Sequence, residues 1–133
     1  MKREPKKIDA LLVKFKGPHP YNPSDTNEIP LGLLSIATYC KKAGFHVLVL
    51  NDKNVTLELL RKIVLADKIE VVGFQCDAEN VWQTISVINI LKKTVDSLLC
   101  VAGGPQVTAV PWDQRFLKES KCDQWNNCTY KTL

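Results

Sequence analysis

The sequence lacks long hydrophobic runs, histidines are few, and its cysteines lack the spacing of metal ligands. No stretch of about 18 apolar residues occurs in its 133 residues, so no membrane span is predicted. Only two histidines and five cysteines are present, and no two cysteines have the CxxC spacing of a metal hook. We therefore predict neither a membrane span nor a metal centre built from clustered ligands.

Signatures of catalysis and of nucleotide binding are also missing. Neither a Gly-x-Gly-x-x-Gly nor a Gly-Lys-Ser/Thr pattern is present to cradle a phosphate. Asp77 stands close to where a phosphoacceptor would carry an acid, but Phe15, Lys16 and Gly17 supply no acid after the first strand. Two histidines give no basis for a nucleophile–base pair. A stand-alone enzyme or phosphoacceptor is the least favoured function, and no catalytic residue is predicted.

The charge and cysteine content give no sign of nucleic-acid binding or of secretion. The net charge of +4 arises partly from residues 1–7, which we interpret as a solvated basic tail. No basic stripe interleaved with aromatic residues is present, so no nucleic-acid partner is predicted. The amino terminus has no apolar segment typical of a signal peptide, and the cysteine count is odd. These features predict a reducing, cytoplasmic location.

What the sequence does contain is a regular alternation of apolar strand segments and amphipathic helices. Strands are predicted at residues 8–15, 46–50, 70–76 and 98–102, the last of which ends in a tight loop at residues 103–106. Helices are predicted at residues 30–42, 56–66, 77–95 and about 112–118. This alternation requires a parallel sheet with right-handed crossovers and with helices on both faces. The predicted fold class is therefore α/β.

Local signals mark the ends of the helices. Pro30 suits a first helical position because it has no N–H to leave unpaired. Thr56 and Asp77 can cap the next two helices, and Gly44 can end the first in a left-handed conformation with Phe45 packing back on it. Apolar residues at helical spacing are expected to face the core: Leu33, Ile36, Ala37 and Cys40, then Leu60, Ile63 and Val64, then Val81, Ile85, Ile88, Leu91 and Val95.

The fourth strand segment runs straight into two glycines and a proline. Its continuous apolar run predicts a strand that is buried on both faces. Gly103 and Gly104 have no Cβ, so the backbone there can bend sharply and approach a flat group closely. Ligands of open parallel sheets bind beyond the carboxyl ends of the strands, so we expect the site here; the alternative is an ordinary turn without a ligand. Gly73, inside the third strand, predicts close approach of a neighbouring backbone.

The carboxyl-terminal residues do not continue the pattern. A fifth apolar strand should follow the fourth helix, but residues 120–133 contain no apolar run and no alternation. We predict that the fifth strand is missing or degenerate, and a missing strand would leave the fourth as an exposed edge. The predicted domain spans residues 8–119, with residues 120–133 as an atypical tail.

Four short motifs, taken in order, resemble those of the cobalamin (B12)-binding domain. They are Pro-Leu-Gly-Leu-Leu at 30–34, Lys-Ala-Gly at 42–44, Val-Val-Gly-Phe at 71–74 and Ala-Gly-Gly-Pro at 102–105. The resemblance is to the form at the amino terminus of B12-dependent radical SAM proteins, and it covers about residues 8–117. It implies a flavodoxin-like (Rossmann-like) three-layer sandwich with strand order 2-1-3-4. It also implies a cobalamin across the carboxyl ends of the strands, its nucleotide tail against the Gly103-Gly104 turn.

The resemblance further implies a partner, a radical SAM domain present in cis or in trans. That domain would bind S-adenosylmethionine and a [4Fe-4S] cluster through a CxxxCxxC motif, which this sequence lacks. The Asp-x-His-x-x-Gly motif that gives cobalt a histidine ligand in other members is also absent. His19 lies in the loop of residues 16–29, where it could ligate a metal or be an ordinary loop residue. Gln75 replaces a small serine common in the wider family, and its amide could bind a corrinoid amide or crowd the tail.

The predicted binding rim consists of the loop at residues 16–29 and of small or polar residues that follow the strands. Glycines for close approach, with amides and hydroxyls, suit a large neutral ligand that is fringed with amides. The predicted function is a cobalamin-binding module; the alternative is a degenerate domain without cofactor that acts as a scaffold or partner surface. The predicted cofactor-binding residues are Asn51, Asp52, Gln75, Cys76, Asp77, Gly103, Gly104, Pro105 and Gln106.

Overall fold

The computed structural model describes residues 7–16, 30–51, 55–105 and 121–125. Several predictions fall outside these ranges: the loop at residues 17–29 with His19, the predicted site residues Asp52 and Gln106, and the short helix at 112–118.

The described residues form a parallel sheet with helices on both of its faces. The strands are β1 (Ala10–Val13), β2 (Val47–Leu50), β3 (Val71–Gln75), β4 (Leu99–Gly103) and β5 (Gln124–Trp125). The helices are α1 (Leu31–Lys42), α2 (Leu57–Asp67) and α3 (Val81–Thr94). The strand order is β2-β1-β3-β4-β5, and every neighbouring pair is parallel. The predicted α/β class, the flavodoxin-like fold and the order 2-1-3-4 are confirmed.

The fifth strand, predicted to be missing or degenerate, is present but very short. β5 has two residues, and it pairs with β4 through Val101 opposite Gln124 and Ala102 opposite Trp125. Just before it, the Asp123 carboxylate accepts hydrogen bonds from Lys92 Nζ at 2.8 Å and from the Cys100 N–H at 2.8 Å. Side-chain and backbone contacts to α3 and β4 therefore hold this short strand in place. The β4 edge is partly covered instead of fully exposed.

One face of the sheet packs against α2 and α3, and we call it the packed face. Because strand side chains alternate in direction, its residues are every second one of β1, β3 and β4. All of them are at most 2% exposed: Leu11, Val13, Val72, Phe74, Cys100 and Ala102. The helices contribute the apolar residues that the sequence predicted, with Leu60, Val64, Val81, Ile85, Ile88 and Leu91 all buried. This side holds most of the hydrophobic core.

The opposite face, which we call the open face, is covered less completely. It consists of the alternate residues Ala10, Leu12, Val71, Gly73, Val101 and Gly103, all of intermediate exposure. Helix α1 lies on this side. Leu33 is its one buried residue, while Ile36 is 52% exposed. The prediction that Ile36 belongs to the core was therefore wrong, because the surface that α1 faces is only partly covered.

The helix ends follow the predicted signals in two of four cases. Pro30 is the N-cap of α1 and Leu31 its first helical residue, so the predicted first helical position of Pro30 was wrong by one residue. The Thr56 hydroxyl accepts the Leu59 N–H at 3.2 Å and caps α2. After α1, Gly44 has φ +95° and the Phe45 N–H returns to the Cys40 carbonyl at 3.0 Å, which is a Schellman ending. Phe45 itself stays 57% exposed and does not pack back as expected.

Asp77 does not cap α3 directly, contrary to the prediction. Its carboxylate accepts the N–H groups of Glu79 and Asn80, at 3.0 and 3.1 Å, and so closes the turn that precedes the helix. The N-cap residue of α3 is Asn80. The helix thus begins several residues later than the sequence indicated, because Asp77 organises a separate turn.

Two strand predictions need correction. β4 is not buried on both faces: Cys100 and Ala102 are fully buried, but Leu99 is 43% exposed. At Gly73, an added Cβ would meet Leu12 Cδ2 at 2.8 Å, whereas the nearest backbone atom is 3.9 Å away. Gly73 therefore makes room for a neighbouring side chain and not for a neighbouring backbone.

Candidate functional site

A groove of about 380 Å³ lies between α1 and the open face. Its volume lies toward the lower end of the roughly 300–1,000 Å³ range of small-molecule sites. Helix α1 contributes one wall through Gly32, Leu33, Ile36 and Cys40. Because α1 follows β1, its first turn lies at the carboxyl end of the sheet, which is where ligands of parallel sheets bind. The rest of the lining is the open face with Val47, Phe74, Ala102, Gln75 and Gly104.

Four of the groove residues are glycines. For three of them we can state which atoms an added Cβ would contact. At Gly32 it would meet only the Gln75 Oε1, at 3.9 Å, which is ordinary contact. At Gly73 it would press on Leu12 and push that side chain toward the groove. At Gly104, with φ +103°, it would lie 2.9 Å from the Cys76 carbonyl oxygen. Gly104 is therefore required by the backbone of β3, whereas Gly32 and Gly73 keep the groove wide.

Gln75 supplies the amide among the residues that line the groove. It is the last residue of β3, and its Cγ would be 3.0 Å from a Cβ on Gly104. Its Oε1 lies toward Gly32 on the first turn of α1. The side chain therefore extends between the start of α1 and the end of β4, at the mouth of an otherwise apolar channel. A glutamine here can donate and accept one hydrogen bond each to a polar group at that mouth.

Three of the predicted site residues lie together in the groove, and two others make structural contacts outside it. Gln75, Gly103 and Gly104 line the groove. Cys76 is fully buried and its N–H donates to the Gly103 carbonyl at 2.7 Å, so it joins β3 to β4 while its thiol stays in the core. The Asp77 carboxylate is engaged by the turn before α3.

Of the remaining predicted residues, Asn51 and Pro105 lie within the described ranges. Asn51 follows β2, and β1 lies between that strand and β3. Pro105 directly follows Gly104 and is exposed. Neither of them lines the groove. The described part of the predicted rim is therefore concentrated on the ends of β3 and β4.

Sequence analysis did not assign two sets of residues to the site. The α1 residues of the groove wall were interpreted as core, because helical periodicity identifies an apolar stripe without saying what covers it. Asn80, at 0% exposure, was not singled out, although its side-chain amide donates to the carbonyls of Phe15 and Gln75. A buried asparagine just before a helix resembles a simple cap in sequence.

The groove carries no charged side chain on its described lining, and on the packed face the Cys100 thiol is fully buried. Among the described residues, no group of three or more His, Cys, Asp or Glu side chains could hold a metal ion. His46 precedes β2, at the amino end of the sheet, and its Nδ1 lies 3.2 Å from the Lys7 carbonyl oxygen. Burial raises the pKa of the Cys100 thiol to about 12, with Cys122 adding to the effect. That thiol therefore remains neutral at physiological pH.

Comparison with known protein families gives a match over most of the chain. The profile of the B12 binding domain family matches residues 23–124. The chain belongs to the B12 binding domain family. No curated protein matches it significantly. Membership in this family supports cobalamin as the ligand and agrees with the flavodoxin-like sheet described above.

The residues of this B12 binding domain fit part of a cobalamin. An apolar channel of about 380 Å³ with an amide at its mouth can accept the planar base of a nucleotide tail, but it is too small for the whole cofactor. Among the described residues, no histidine lines the groove; His46 directly precedes Val47 at the amino end of β2, and its Nδ1 lies 3.2 Å from the Lys7 carbonyl oxygen. None of the helices in the described ranges has the length and apolar character needed to cross a bilayer.

Proposed function

We propose that this B12 binding domain holds cobalamin with its nucleotide tail in the groove beside α1 and its corrin ring over the carboxyl ends of the strands. The observation that carries the proposal is the groove itself, which runs along the open face, reaches the carboxyl ends of β3 and β4 where parallel sheets bind ligands, and is apolar and partly exposed. The packed face offers no comparable space, since its residues are at most 2% exposed.

Different groove residues would contact different parts of the cofactor. Leu33, Ile36 and Val101 would contact the flat base of the tail, and apolar burial would supply most of the affinity. The Gln75 amide would hydrogen-bond a polar group of the tail at the mouth. The glycines at 103 and 104 would contact the tail. Pro105 and the predicted rim residues Asn51, Asp52, Asp77 and Gln106 would border the corrin and its amides, whereas Cys76 is fully buried and would not touch the ligand.

The chemistry of the bound cofactor would come from its cobalt, which can carry a methyl group or position a substrate. The described residues would provide binding and orientation, with no protein imidazole for the metal. We propose that the partner is a radical SAM domain, in cis or in trans, with S-adenosylmethionine and a [4Fe-4S] cluster. A reducing cytoplasm suits such a partner, and the four cysteines in the described ranges are free thiols.

The cofactor assignment is tested by mixing the purified chain with hydroxocobalamin and passing it through a gel-filtration column. We expect the visible absorption of the corrinoid to co-elute with the protein. Substitution Ile36→Trp fills the groove and should abolish co-elution. Leu34→Trp, on the same helix but outside the groove, is the matched control and should retain the colour.

Each outcome of this experiment distinguishes between alternatives. If the wild-type chain retains no corrinoid, the degenerate, cofactor-free scaffold becomes the better description. If wild type, Ile36→Trp and Leu34→Trp all retain it equally, cobalamin binds elsewhere and the groove assignment is wrong.

The radical SAM link has its own test. We expect an open reading frame that continues from, or lies beside, the gene for this chain to encode a CxxxCxxC motif. A gene neighbourhood that contains no such motif would contradict this part of the proposal while leaving cobalamin binding intact.

A further inference from the structure

Asn80 links three parts of the chain through one buried side chain. Its Nδ2 donates to the Phe15 carbonyl at 2.9 Å and to the Gln75 carbonyl at 3.2 Å. Its Oδ1 accepts the Asp77 N–H at 2.9 Å. The residue is 0% exposed, and its own carbonyl accepts both the N–H and the hydroxyl of Thr84. Both ends of the amide are therefore in use, and Asn80 is not itself available to a ligand.

Asn80 lies just beyond the carboxyl ends of β1 and β3, where the two chain segments diverge. The ladder between β1 and β3 ends where Val13 lies opposite Phe74. Beyond that pair the chain after β1 leads to α1 on the open face, and the chain after β3 leads to α3 on the packed face. Such a divergence is a topological switch point, where the crevice of an open parallel sheet forms. The Asn80 amide spans the two chains just after they leave the ladder.

The other side of β3 is held by backbone contacts instead. The ladder between β3 and β4 continues one pair further, to Gln75 opposite Gly103, and the Cys76 N–H then donates to the Gly103 carbonyl. Gly104 packs directly against the Cys76 backbone. The end of β3 is thus fixed toward β4 by the sheet and toward β1 by one side chain. Gln75, whose amide stands at the mouth of the groove, lies between these two restraints.

We propose that Asn80 is the positioning residue of the cobalamin site, setting the distance between the ends of β1 and β3 and thereby the placement of Gln75. This inference rests on the proposed function of the groove. Loss of the Nδ2 donors removes one hydrogen bond from the buried Phe15 carbonyl and one from the partly buried Gln75 carbonyl, which favours separation of the strand ends. Because the packed face makes its contacts independently, the effect should fall mainly on ligand affinity.

The experiment compares hydroxocobalamin affinity in the full chain and in three variants, by equilibrium titration of the visible spectrum. Asn80→Asp keeps an oxygen acceptor for the Asp77 N–H but loses the donors, and Asn80→Ser is too short to reach either carbonyl. Thr84→Val is the matched control, because Thr84 is equally buried but, among the described residues, its hydroxyl bonds only to Asn80, four residues earlier, and does not reach the ends of β1 or β3. Urea unfolding of each variant gives its stability separately.

We expect both Asn80 variants to bind hydroxocobalamin roughly tenfold or more weakly, and Thr84→Val to stay within about twofold of wild type. The difference should persist at temperatures where every variant is folded. If Asn80→Asp fails to fold, Asn80→Ser carries the comparison. Equal affinity of wild type and a folded Asn80 variant would overturn the inference, as would an equal loss in Thr84→Val. If wild type itself does not bind, the proposed function has failed, and this outcome is separate from the others.

Discussion

The two faces of one sheet differ sharply in how they are used. On the packed face, six strand residues are at most 2% exposed and meet buried residues of α2 and α3. On the open face, the alternate residues of the same strands stay half-covered beside a groove of about 380 Å³. Because side chains alternate along a strand, each strand can serve stability on one side and binding on the other.

This difference separates the parts of the molecule that can change with little cost to folding from those that cannot. Removal of atoms from a close-packed core leaves a cavity, whereas a half-exposed site loses little burial. Substitutions on the open face should therefore alter ligand binding more than stability, and substitutions on the packed face should do the opposite.

The largest effect is expected from matched isoleucine truncations on the two faces. Ile88→Ala on α3 should lower the free energy of unfolding by about 3 kcal/mol, because Ile88 is 0% exposed. Ile36→Ala on α1 should cost below about 1 kcal/mol, because that side chain is already 52% exposed. Urea unfolding of both variants measures the difference. Equal losses would mean that the two faces are equally packed in solution.

Substitution of the glycine that follows β4 should give the next largest loss of stability. Gly104→Ala imposes a positive φ on alanine and brings its Cβ to 2.9 Å from the Cys76 oxygen, so we expect a loss of roughly 2 kcal/mol or more. Gly44→Ala has a similar φ of +95° but nothing within 4 Å, and should cost about 1 kcal/mol. The difference isolates the close approach of β4 to β3. If the two variants lose the same amount in thermal or urea unfolding, that contact is not tight.

The β5 edge should contribute the smallest, pH-dependent effect. Burial acts to raise the pKa of Asp123, but hydrogen bonds from Lys92 and the Cys100 N–H outweigh it and hold the pKa below its ordinary 3.8. A lowered pKa in the folded state means that the stabilisation is present above about pH 4 and is lost as the pH falls through the folded value. Asp123→Asn should cost at most about 1 kcal/mol at neutral pH, since this pair is partly exposed.

The measurement for this edge is urea unfolding of wild type and Asp123→Asn at pH 7 and at pH 3. The gap between the two proteins should narrow at the lower pH. A gap that stays constant or widens would show that the Asp123 carboxylate is not the stabilising group.

The sequence was sufficient for the parallel sheet and for the packed face, because both depend on local periodicity. The stripe of α3 from Val81 to Leu91 and the Thr56 cap are examples in which the signal lies within a few residues. Family motifs supplied the strand order, which local patterns leave open.

The rest depended on contacts between distant parts of the chain. Asn80 donates a hydrogen bond to the Phe15 carbonyl, 65 residues away in sequence, and no local sequence pattern predicts that bond. The exposure of Ile36 depends on what covers α1, which periodicity does not encode. A two-residue strand such as β5 has no period to detect, and its docking relies on Lys92 reaching Asp123, 31 residues away.

The central claim is that cobalamin enters the groove on the open face, and amide NMR of the uniformly ¹⁵N-labelled chain during hydroxocobalamin titration tests it most directly. Gly32, Gly73, Gly103 and Gly104 line the groove, whereas Gly44 lies beyond the far end of α1 and serves as an internal reference. We expect the amide signals of the four groove glycines to shift together and to saturate, while the signal of Gly44 stays in place. Saturable shifts confined to other residues, or no shifts at all, would contradict it.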